Sequence, residues 1–197
     1  MQIFDAQGRR LYFTEEERRD FLKAAVKAPR EVRSFCSTVL YTGCRISEAL
    51  ELSADRVNLS SGNVVIRSLK KRKDKAGKPR IIHRVVPIPP DLVDALDMVH
   101  GIRELQRKGR GGELLWPWSR MTGYRKIMEI IEAAHISAGP HACPKGLRHG
   151  FGIHAVSKGI SLNMVQKWLG HAQLTTTAIY ANAVGEEEQS IAARMWS

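Results

Sequence analysis

Three separated segments of the 197-residue chain carry side chains that could take part in phosphate chemistry. A guanidinium group stays protonated at any working pH and can hold a phosphate through two parallel hydrogen bonds. A tyrosine hydroxyl, whose ordinary pKa is about 10, becomes a nucleophile when positive charge or a proton acceptor lies beside it. The segments are Thr42-Gly43-Cys44-Arg45-Ile46-Ser47-Glu48, then Lys145-Gly146-Leu147-Arg148-His149-Gly150-Phe151, then Leu169-Gly170-His171, with Tyr180 nine residues further on.

Taken singly, each of these residues also has a structural explanation. Arg45 follows a glycine of the kind that ends a helix, so it can cap carbonyl groups or pair with Glu48. Arg148 fits a helix surface, His171 fits a helix C-terminus, and Tyr180 fits a half-buried core position. Because short motifs often match by chance, any one of them alone favours the structural explanation.

The charge balance is strongly basic and unevenly distributed. The chain has 31 Lys and Arg against 20 Asp and Glu, a formal net charge of +11. Residues 67–84 contain nine basic residues and one acidic residue, so this basic strip holds +8 of that charge. Such a density favours a polyanionic partner, because each neutralised phosphate releases condensed counterions. A solvated basic loop is the alternative, and charge alone does not separate the two.

Other global features narrow the class of protein. Hydrophobic residues make up 43% of the chain, enough for a core, yet no run of 18 apolar residues could form a membrane span. The N-terminus lacks the pattern of a signal peptide, and Cys36, Cys44 and Cys143 are too few and too scattered for a disulfide framework. We therefore expect a cytoplasmic protein with reduced thiols and no membrane partner.

The elements that must position the candidate residues are mostly helices. Thr14 and Glu17 form a capping-box signature, Gly43 is placed to end the next helix, and Ser47 to cap a short one after it. β-branched residues before the basic strip, and again at its end and after it, predict about three short strands. The sequence thus predicts a mixed fold, mainly α, with an antiparallel β-sheet of about three strands.

Together and in this order, the segments resemble the catalytic domain of the tyrosine recombinase (phage integrase) family. The family's Gly-x-Arg box matches Gly43 to Glu48, and its His-x-x-Arg box matches the segment that begins at Lys145. Its Leu-Gly-His element and its tyrosine follow at family spacing. The resemblance extends from the first helix to about Asn182. It implies the fold of that domain and a site-specific recombinase that cleaves and rejoins DNA through a 3′-phosphotyrosine.

The resemblance also implies roles for individual residues. Lys70, at the head of the basic strip, matches the lysine of the family's sheet hairpin, with Lys71 and Lys73 as alternatives in register. The catalytic residues are then Arg45, Lys70, Lys145, Arg148, His171 and Tyr180. The residues expected to bind DNA are Arg67, Lys71, Arg72, Lys73, Lys75 and Lys78.

These roles agree with the chemistry of phosphodiester cleavage. Two arginines can stabilise the charge that builds on the non-bridging oxygens, each donor contributing roughly 10²–10³ in rate. Tyr180 attacks phosphorus, and Lys70 protonates the leaving 5′-oxygen as general acid. The spacing of the seven histidines and of the carboxylates matches no metal-site motif, so we expect neither a metal nor a cofactor.

Two departures from the family pattern are informative. Lys145 stands where the family has histidine, and a charged lysine is a poor proton acceptor, which shifts the activation of Tyr180 toward His171. Most members also carry an N-terminal DNA-binding domain, whereas this sequence has an arm of residues 1–13 before the first predicted helix. It resembles either a naturally short member, similar in length to the fimbrial phase-switch invertases, or a shortened form.

We expect an N-terminal arm at 1–13, the catalytic domain at 14–182 and a C-terminal tail at 183–197. The tail has an acidic start and an apolar stripe, and we expect it to pack on a neighbouring subunit rather than on its own core. Double-stranded DNA and a self-assembled tetramer on it are the expected partners. The alternatives are a non-catalytic DNA-binding recombinase remnant or regulator, and a topoisomerase-like enzyme that relaxes DNA.

Overall fold

The computed structural model describes residues 2–73, 79–182 and 192–196, with the backbone alone at 70–73, 79, 80, 182 and 194. Short 3₁₀ turns lie at Ala54–Arg56, Ile179–Asn182 and Ala193–Met195. The strands are β1 Val57–Asn58, β2 Asn63–Lys73 and β3 Pro79–Pro87. The helices are α1 Glu15–Val26, α2 Arg30–Thr42, α3 Ile46–Leu50, α4 Pro90–His100, α5 Ile102–Arg107, α6 Arg120–Ala133, α7 Pro144–Ser157, α8 Leu162–Leu169 and α9 Thr175–Ala178.

The three strands form one antiparallel sheet in the order β1-β2-β3. Val64 pairs with Val86, and both side chains are buried, so one face of the sheet is packed against the helices. The pairing of β2 with β3 is irregular between Ser68 and Arg72. The predicted fold class, mainly α with a small three-stranded antiparallel sheet, is confirmed.

The helix ends follow the sequence signals with one exception. Thr14 and Glu17 form both hydrogen bonds of the capping box, and Gly43 ends α2 in the left-handed conformation at φ 59°. The expectation that Ser47 caps α3 was wrong. Arg45 is the N-cap residue, and its backbone N–H donates to the Glu48 carboxylate, which sits at the third helical position.

The hydrophobic interior consists of two clusters. The larger gathers side chains from α1 to α7 and the sheet, with Phe35, Trp116 and Leu147 among its fully buried members. The smaller cluster joins the N-terminal arm to α7, α8 and the turn at Ile179–Asn182, with Tyr12 and Tyr180 both buried in it. Helix α7 contributes to both clusters and therefore sets the position of the C-terminal residues relative to the rest of the domain.

Candidate active site

Five of the six predicted catalytic side chains lie around α7. Lys145 and Arg148 belong to that helix, and Arg45 faces them from the junction of α2 and α3 across a cavity of about 350 Å³. His171 follows the end of α8, and its ring stacks on that of Tyr180 with centroids 6.2 Å apart. Residues from three separated parts of the sequence therefore meet at one site.

Arg148 connects two of these segments. Its guanidinium Nη1 donates to the Gly43 carbonyl and its Nη2 to the Leu169 carbonyl, each at 2.7 Å. The side chain is 5% exposed. Burial, followed by the charge of Arg45, lowers the pKa of Arg148 to about 10, so the group stays cationic at neutral pH. It can orient the site and stabilise an anion at the same time.

Arg45 is held by Glu48. Besides the backbone bond, its Nη1 donates to Glu48 Oε1 at 2.9 Å, while the Arg45 side chain keeps 43% of its surface exposed. Burial by itself would raise the pKa of the Glu48 carboxyl, but the hydrogen bond and charge of Arg84, together with Arg45, hold that pKa below its ordinary value. Glu48 thus fixes the position of Arg45, while part of the Arg45 side chain stays accessible to a ligand.

Arg84 is a site residue that the sequence analysis missed, because it was counted as part of the basic strip. Its Nη2 donates to Glu48 Oε2 at 2.6 Å, and its Nε donates to the Trp168 carbonyl at 2.7 Å. The alternation of β3 contained a signal, since Arg84 points inward between the exposed His83 and Val85. Arg84 joins the sheet to α3 and to the end of α8.

Replacing Arg84 with methionine is expected to lower the free energy of unfolding by about 3 kcal/mol, because it leaves the buried Glu48 with a single partner. Urea denaturation measures this loss. Arg67→Met is the matched control on β2. The pair that Arg67 makes with Glu51, at 3.4 Å, is 40% exposed on both sides, so this change should cost less than about 1 kcal/mol. Equal losses in the two variants would contradict the structural role of Arg84.

Tyr180 is completely buried on the 3₁₀ turn that follows α9. Its ring lies flat against Gly152 of α7, where an added Cβ would come within 2.5 Å of the ring. The hydroxyl forms a 3.3 Å hydrogen bond with Nδ1 of His149. Burial raises the pKa of Tyr180 to about 12, against the lowering influence of Arg148 and Arg45. The hydroxyl is therefore protonated at neutral pH.

His171 contacts Tyr180 by stacking rather than by a hydrogen bond. The two rings are inclined by 23°, and His171 Nδ1 is 2.9 Å from the hydroxyl of the buried Thr177. Burial, then the charges of Arg148 and Arg45, lowers the pKa of His171 to about 3. These contacts give no support to the expectation that His171 takes over the activation of Tyr180, because the hydroxyl shares its hydrogen bond with His149.

Lys145 lies exposed at the rim of the cavity. Arg120, at the start of α6, faces it there, and Arg45 and Arg148 complete the basic part of the lining. The cavity is large enough to admit a phosphate group. Four cationic residues around one opening favour an anion, and Arg120 is a member of this set that the sequence analysis did not identify.

The remaining predicted basic residues belong to β2 or to the segment between β2 and β3 in sequence. Lys70 has a backbone position in β2 within the irregular stretch between Ser68 and Arg72, and its side chain is outside the described set. The backbones of Lys71, Arg72 and Lys73 follow along the same strand. Lys75 and Lys78 lie outside the described residues. The choice of Lys70 over its neighbours stays a prediction.

Two absences hold for the described ranges. Nowhere in 2–73, 79–182 or 192–196 do three His, Cys, Asp or Glu side chains gather as a metal would require. In the same part of the chain, no helix is both long and apolar enough to cross a membrane.

Comparison with known proteins gives a family match over most of the chain. A model described as the phage integrase family matches residues 11–187. Tyrosine recombinase XerD of Mycobacterium tuberculosis is 35% identical over 156 residues, which are 75% of this chain and 46% of that protein. This chain spans about half the length of the curated relatives it matches.

Solved structures share the fold. The crystal structure of XerA recombinase is similar to this chain with a TM-score of 0.74 and 23% sequence identity. The alignment covers 93% of this chain and 64% of the XerA chain. XerH site-specific recombinase bound to difH substrate, a pre-cleavage complex, has a TM-score of 0.66 at 23% identity, with 98% of this chain and 60% of that chain covered.

Proposed function

This chain belongs to the phage integrase family, and we propose that it is a site-specific recombinase that cleaves and rejoins DNA through a covalent bond between Tyr180 and a 3′-phosphate. The observation that carries the proposal is the meeting of Arg45 and Arg148 at a cavity, with the Tyr180 ring packed on the same helix as Arg148. Two such guanidinium groups would stabilise the negative charge that develops when a nucleophile attacks a phosphodiester.

Double-stranded DNA is the proposed substrate. The net charge of +11 and the basic strip favour a polyanion. A relative of the same fold is described as bound to its difH substrate. The cavity is lined on several sides by arginine and lysine, which suits a backbone phosphate.

The proposed reaction depends on how the contacts of Arg45 and Arg148 hold the two side chains in place. Arg148 is anchored through its contacts with two carbonyls, and Arg45 through Glu48, so a phosphate placed in the cavity meets donors that need no reorganisation. Tyr180 oxygen attacks phosphorus, and the bond to the 5′-oxygen breaks. Because the phosphotyrosine conserves the bond energy, a second 5′-hydroxyl can reverse the step without ATP.

The nucleophile is not exposed before DNA binds. Tyr180 has 0% relative exposure, and the residues around it come from α7, α8 and the N-terminal arm. Attack therefore requires a local shift of α9 and the turn after it, which are short elements. DNA binding would supply the free energy for that shift.

We assign residues 14–182 to the catalytic domain and 183–197 to a tail that packs on a neighbouring copy in a tetramer on DNA. The described end of the tail supports this role, because Met195 and Trp196 expose 77% and 78% of their surfaces. Apolar side chains this exposed favour burial against a partner.

The function is tested with a pool of nicked duplexes of random sequence, in which the fragment released by cleavage diffuses away. We expect a protein–DNA adduct that survives denaturation, and we expect sequencing of the captured DNA to return a preferred site. Strand transfer to an added 5′-hydroxyl would complete the reaction. Binding without an adduct would favour the non-catalytic regulator, and relaxation of plasmids that lack the selected site would favour the topoisomerase-like enzyme.

Lys70→Ala is expected to slow strand cleavage by about 10²–10⁴ with little change in DNA affinity, because a general acid acts on the leaving group and not on binding. Single-turnover cleavage of the selected site measures the effect. A substrate with sulfur in place of the bridging 5′-oxygen should restore the rate, since a thiolate leaves without protonation. If Lys71→Ala or Lys73→Ala shows this rescue and Lys70→Ala does not, the general acid is that neighbour.

The double variant Lys75→Ala and Lys78→Ala is the matched control for charge. These two residues are expected to contact phosphates, so their loss should weaken binding and reduce the salt slope by about 1 for each contact. The substrate with a bridging 5′-sulfur should not restore the cleavage rate of this double variant at subsaturating DNA. A rescue there would mean that the two lysines act on the leaving group.

A further inference from the structure

We infer that His149 is a further catalytic residue, which takes the proton from the Tyr180 hydroxyl as that oxygen attacks phosphorus. The inference rests on the proposed function. It assigns a role to the residue directly after Arg148, for which the sequence analysis proposes none.

The geometry between the two side chains is fixed from both sides. His149 Nδ1 lies 3.3 Å from the Tyr180 hydroxyl, and the rings meet edge to face at 63° with centroids 5.9 Å apart. His149 is 0% exposed on α7. Gly152, three residues further along the same helix, lies on the same face and receives the ring of Tyr180. A contact of 3.3 Å is long but within the range of catalytic hydrogen bonds in unliganded sites, which shorten when substrate binds.

The other basic groups near Tyr180 are less suited to accept its proton. Lys145 is exposed on the first turn of α7, and a charged ammonium has no lone pair to offer. His171 stacks on the tyrosine ring and directs Nδ1 to Thr177. Arg148 donates to two carbonyls and stays charged. Among the described residues, the hydrogen-bond contact of the hydroxyl is with His149.

The protonation state of His149 fits an acceptor. Burial, followed by the charges of Lys145 and Arg148, lowers the pKa of His149 to about 4, so the ring is neutral at physiological pH. When Nδ1 accepts from tyrosine, the ring hydrogen is on Nε2, which has no partner within the described residues. A phosphate bound beside Arg148 would offset the cationic field and make a transient imidazolium less costly.

The proposed step balances. A bond forms between Tyr180 oxygen and phosphorus while the hydroxyl proton moves to His149 Nδ1. The bond between phosphorus and the 5′-oxygen breaks, and this oxygen leaves with the electron pair and takes a proton from the general acid. Rejoining runs in reverse, with the imidazolium returning its proton to the tyrosine oxygen as that oxygen departs.

Two variants separate proton transfer from positioning. His149→Ala removes both the contact and the base. His149→Asn keeps a polar atom near the position of Nδ1, so it can hold the hydroxyl but cannot take its proton. If His149 is the base, both variants should cleave the selected site about 10²–10⁴ more slowly at saturating DNA, with unchanged DNA affinity. His154→Asn is the matched control, because His154 is a histidine of the same helix whose pKa burial also lowers to about 4.

Fluorinated tyrosines at position 180 distinguish proton transfer by His149 from a purely structural role, because the loss of a proton acceptor, unlike a loss of packing, makes the cleavage rate depend more strongly on the phenol pKa. Their phenol pKa is lower, so His149→Asn should cleave faster as fluorine is added, whereas the enzyme with His149 should respond less. A His149→Asn rate equal to wild type, or one that does not respond to fluorination, would overturn the inference. If instead wild-type protein forms no adduct through Tyr180, it is the proposed function that fails.

Discussion

Replacing Tyr180 with phenylalanine is expected to abolish the covalent adduct completely while DNA binding persists. The change removes one oxygen atom, and that oxygen is the proposed nucleophile. The ring remains packed against Gly152 and stacked on His171, so the surrounding fold should be retained. The residual adduct, measured on the selected nicked duplex under denaturing conditions, should fall below detection at any reaction time.

The stability cost of this substitution should be small. The hydroxyl makes one described hydrogen bond, to His149, and losing a buried bond costs about 1 kcal/mol on average. Urea denaturation should show a loss of that order, and the DNA dissociation constant should stay within about threefold of wild type.

Tyr41→Phe is the control for general effects of removing a tyrosine hydroxyl. Tyr41 lies on α2 and packs partly buried against the larger core cluster, whereas Tyr180 belongs to the smaller one. This variant should form adduct at the wild-type rate. An adduct that persisted in the Tyr180→Phe protein would assign the nucleophile to another residue.

Most of the fold could be predicted because local signals and packing agree. The Thr14 capping box, the left-handed Gly43 and the β-branched runs before and after the basic strip each depend on a few neighbouring residues. The structure has them where the pattern indicated. By contrast, α5 was not predicted, because its six residues follow directly on Gly101 and have too few apolar positions for a periodic signal.

The start of α3 shows how tertiary structure can override a local preference. Serine is a favoured N-cap, and Ser47 was chosen for that reason. Arg45 occupies the position instead, because Glu48 is the residue that reaches back to its N–H and side chain. Serine is a good capping residue by local preference. The position of Glu48, however, also depends on its contact with Arg84, which is distant in sequence and cannot be predicted from neighbouring residues.

The site itself was only partly predictable from sequence. The ordered motifs identified Arg45, Arg148, His171 and Tyr180, and the structure brings them together, although their roles remain proposals. The burial of Arg84 and the contact of His149 with Tyr180 depend on how β3, α7 and the C-terminal turn pack. The alternation along β3 indicates that Arg84 faces inward, but spacing along the chain does not identify the partners of Arg84 or of His149.

The resulting electrostatics favour one bound anion. Arg45, Arg84 and Arg148 act on the same residues around Glu48, whose single carboxylate neutralises only part of their charge. Among the residues that the structure describes, this cluster therefore retains positive charge beside the cavity. A phosphodiester bears one negative charge and would offset part of the charge of the buried Arg84 and Arg148.

Among the cations of this cluster, Arg148 should be the one whose replacement slows DNA cleavage most. Replacing it with alanine is expected to reduce single-turnover cleavage by at least about 10²–10³, the effect of one preorganised donor on developing charge. The carbonyls of Gly43 and Leu169 also lose their donor, at a cost of about 1–3 kcal/mol each if water does not replace it. Urea denaturation gives the folded fraction, by which the rate is corrected.

Lysine at position 148 should restore little of this activity. A lysine keeps the charge, but it is a point donor on a flexible stem and cannot bridge two carbonyls while also facing a phosphate. We expect Arg148→Lys to cleave closer to the alanine variant than to wild type. Arg103→Ala, at an exposed position on α5, is the control and should leave the rate unchanged.

Titration provides a second measurement on the Arg148→Ala protein. Burial is the main cause of the low pKa of His171, about 3, and the charge of Arg148 lowers that pKa further; the same charge opposes the rise that burial causes in the pKa of Tyr180. Its removal should therefore raise the pKa of both groups, which NMR can follow for the histidine ring. His171 would then begin to protonate at a higher pH than in the wild-type protein. A cleavage rate within tenfold of wild type, together with an unchanged His171 pKa, would contradict the placement of Arg148 at the centre of the site.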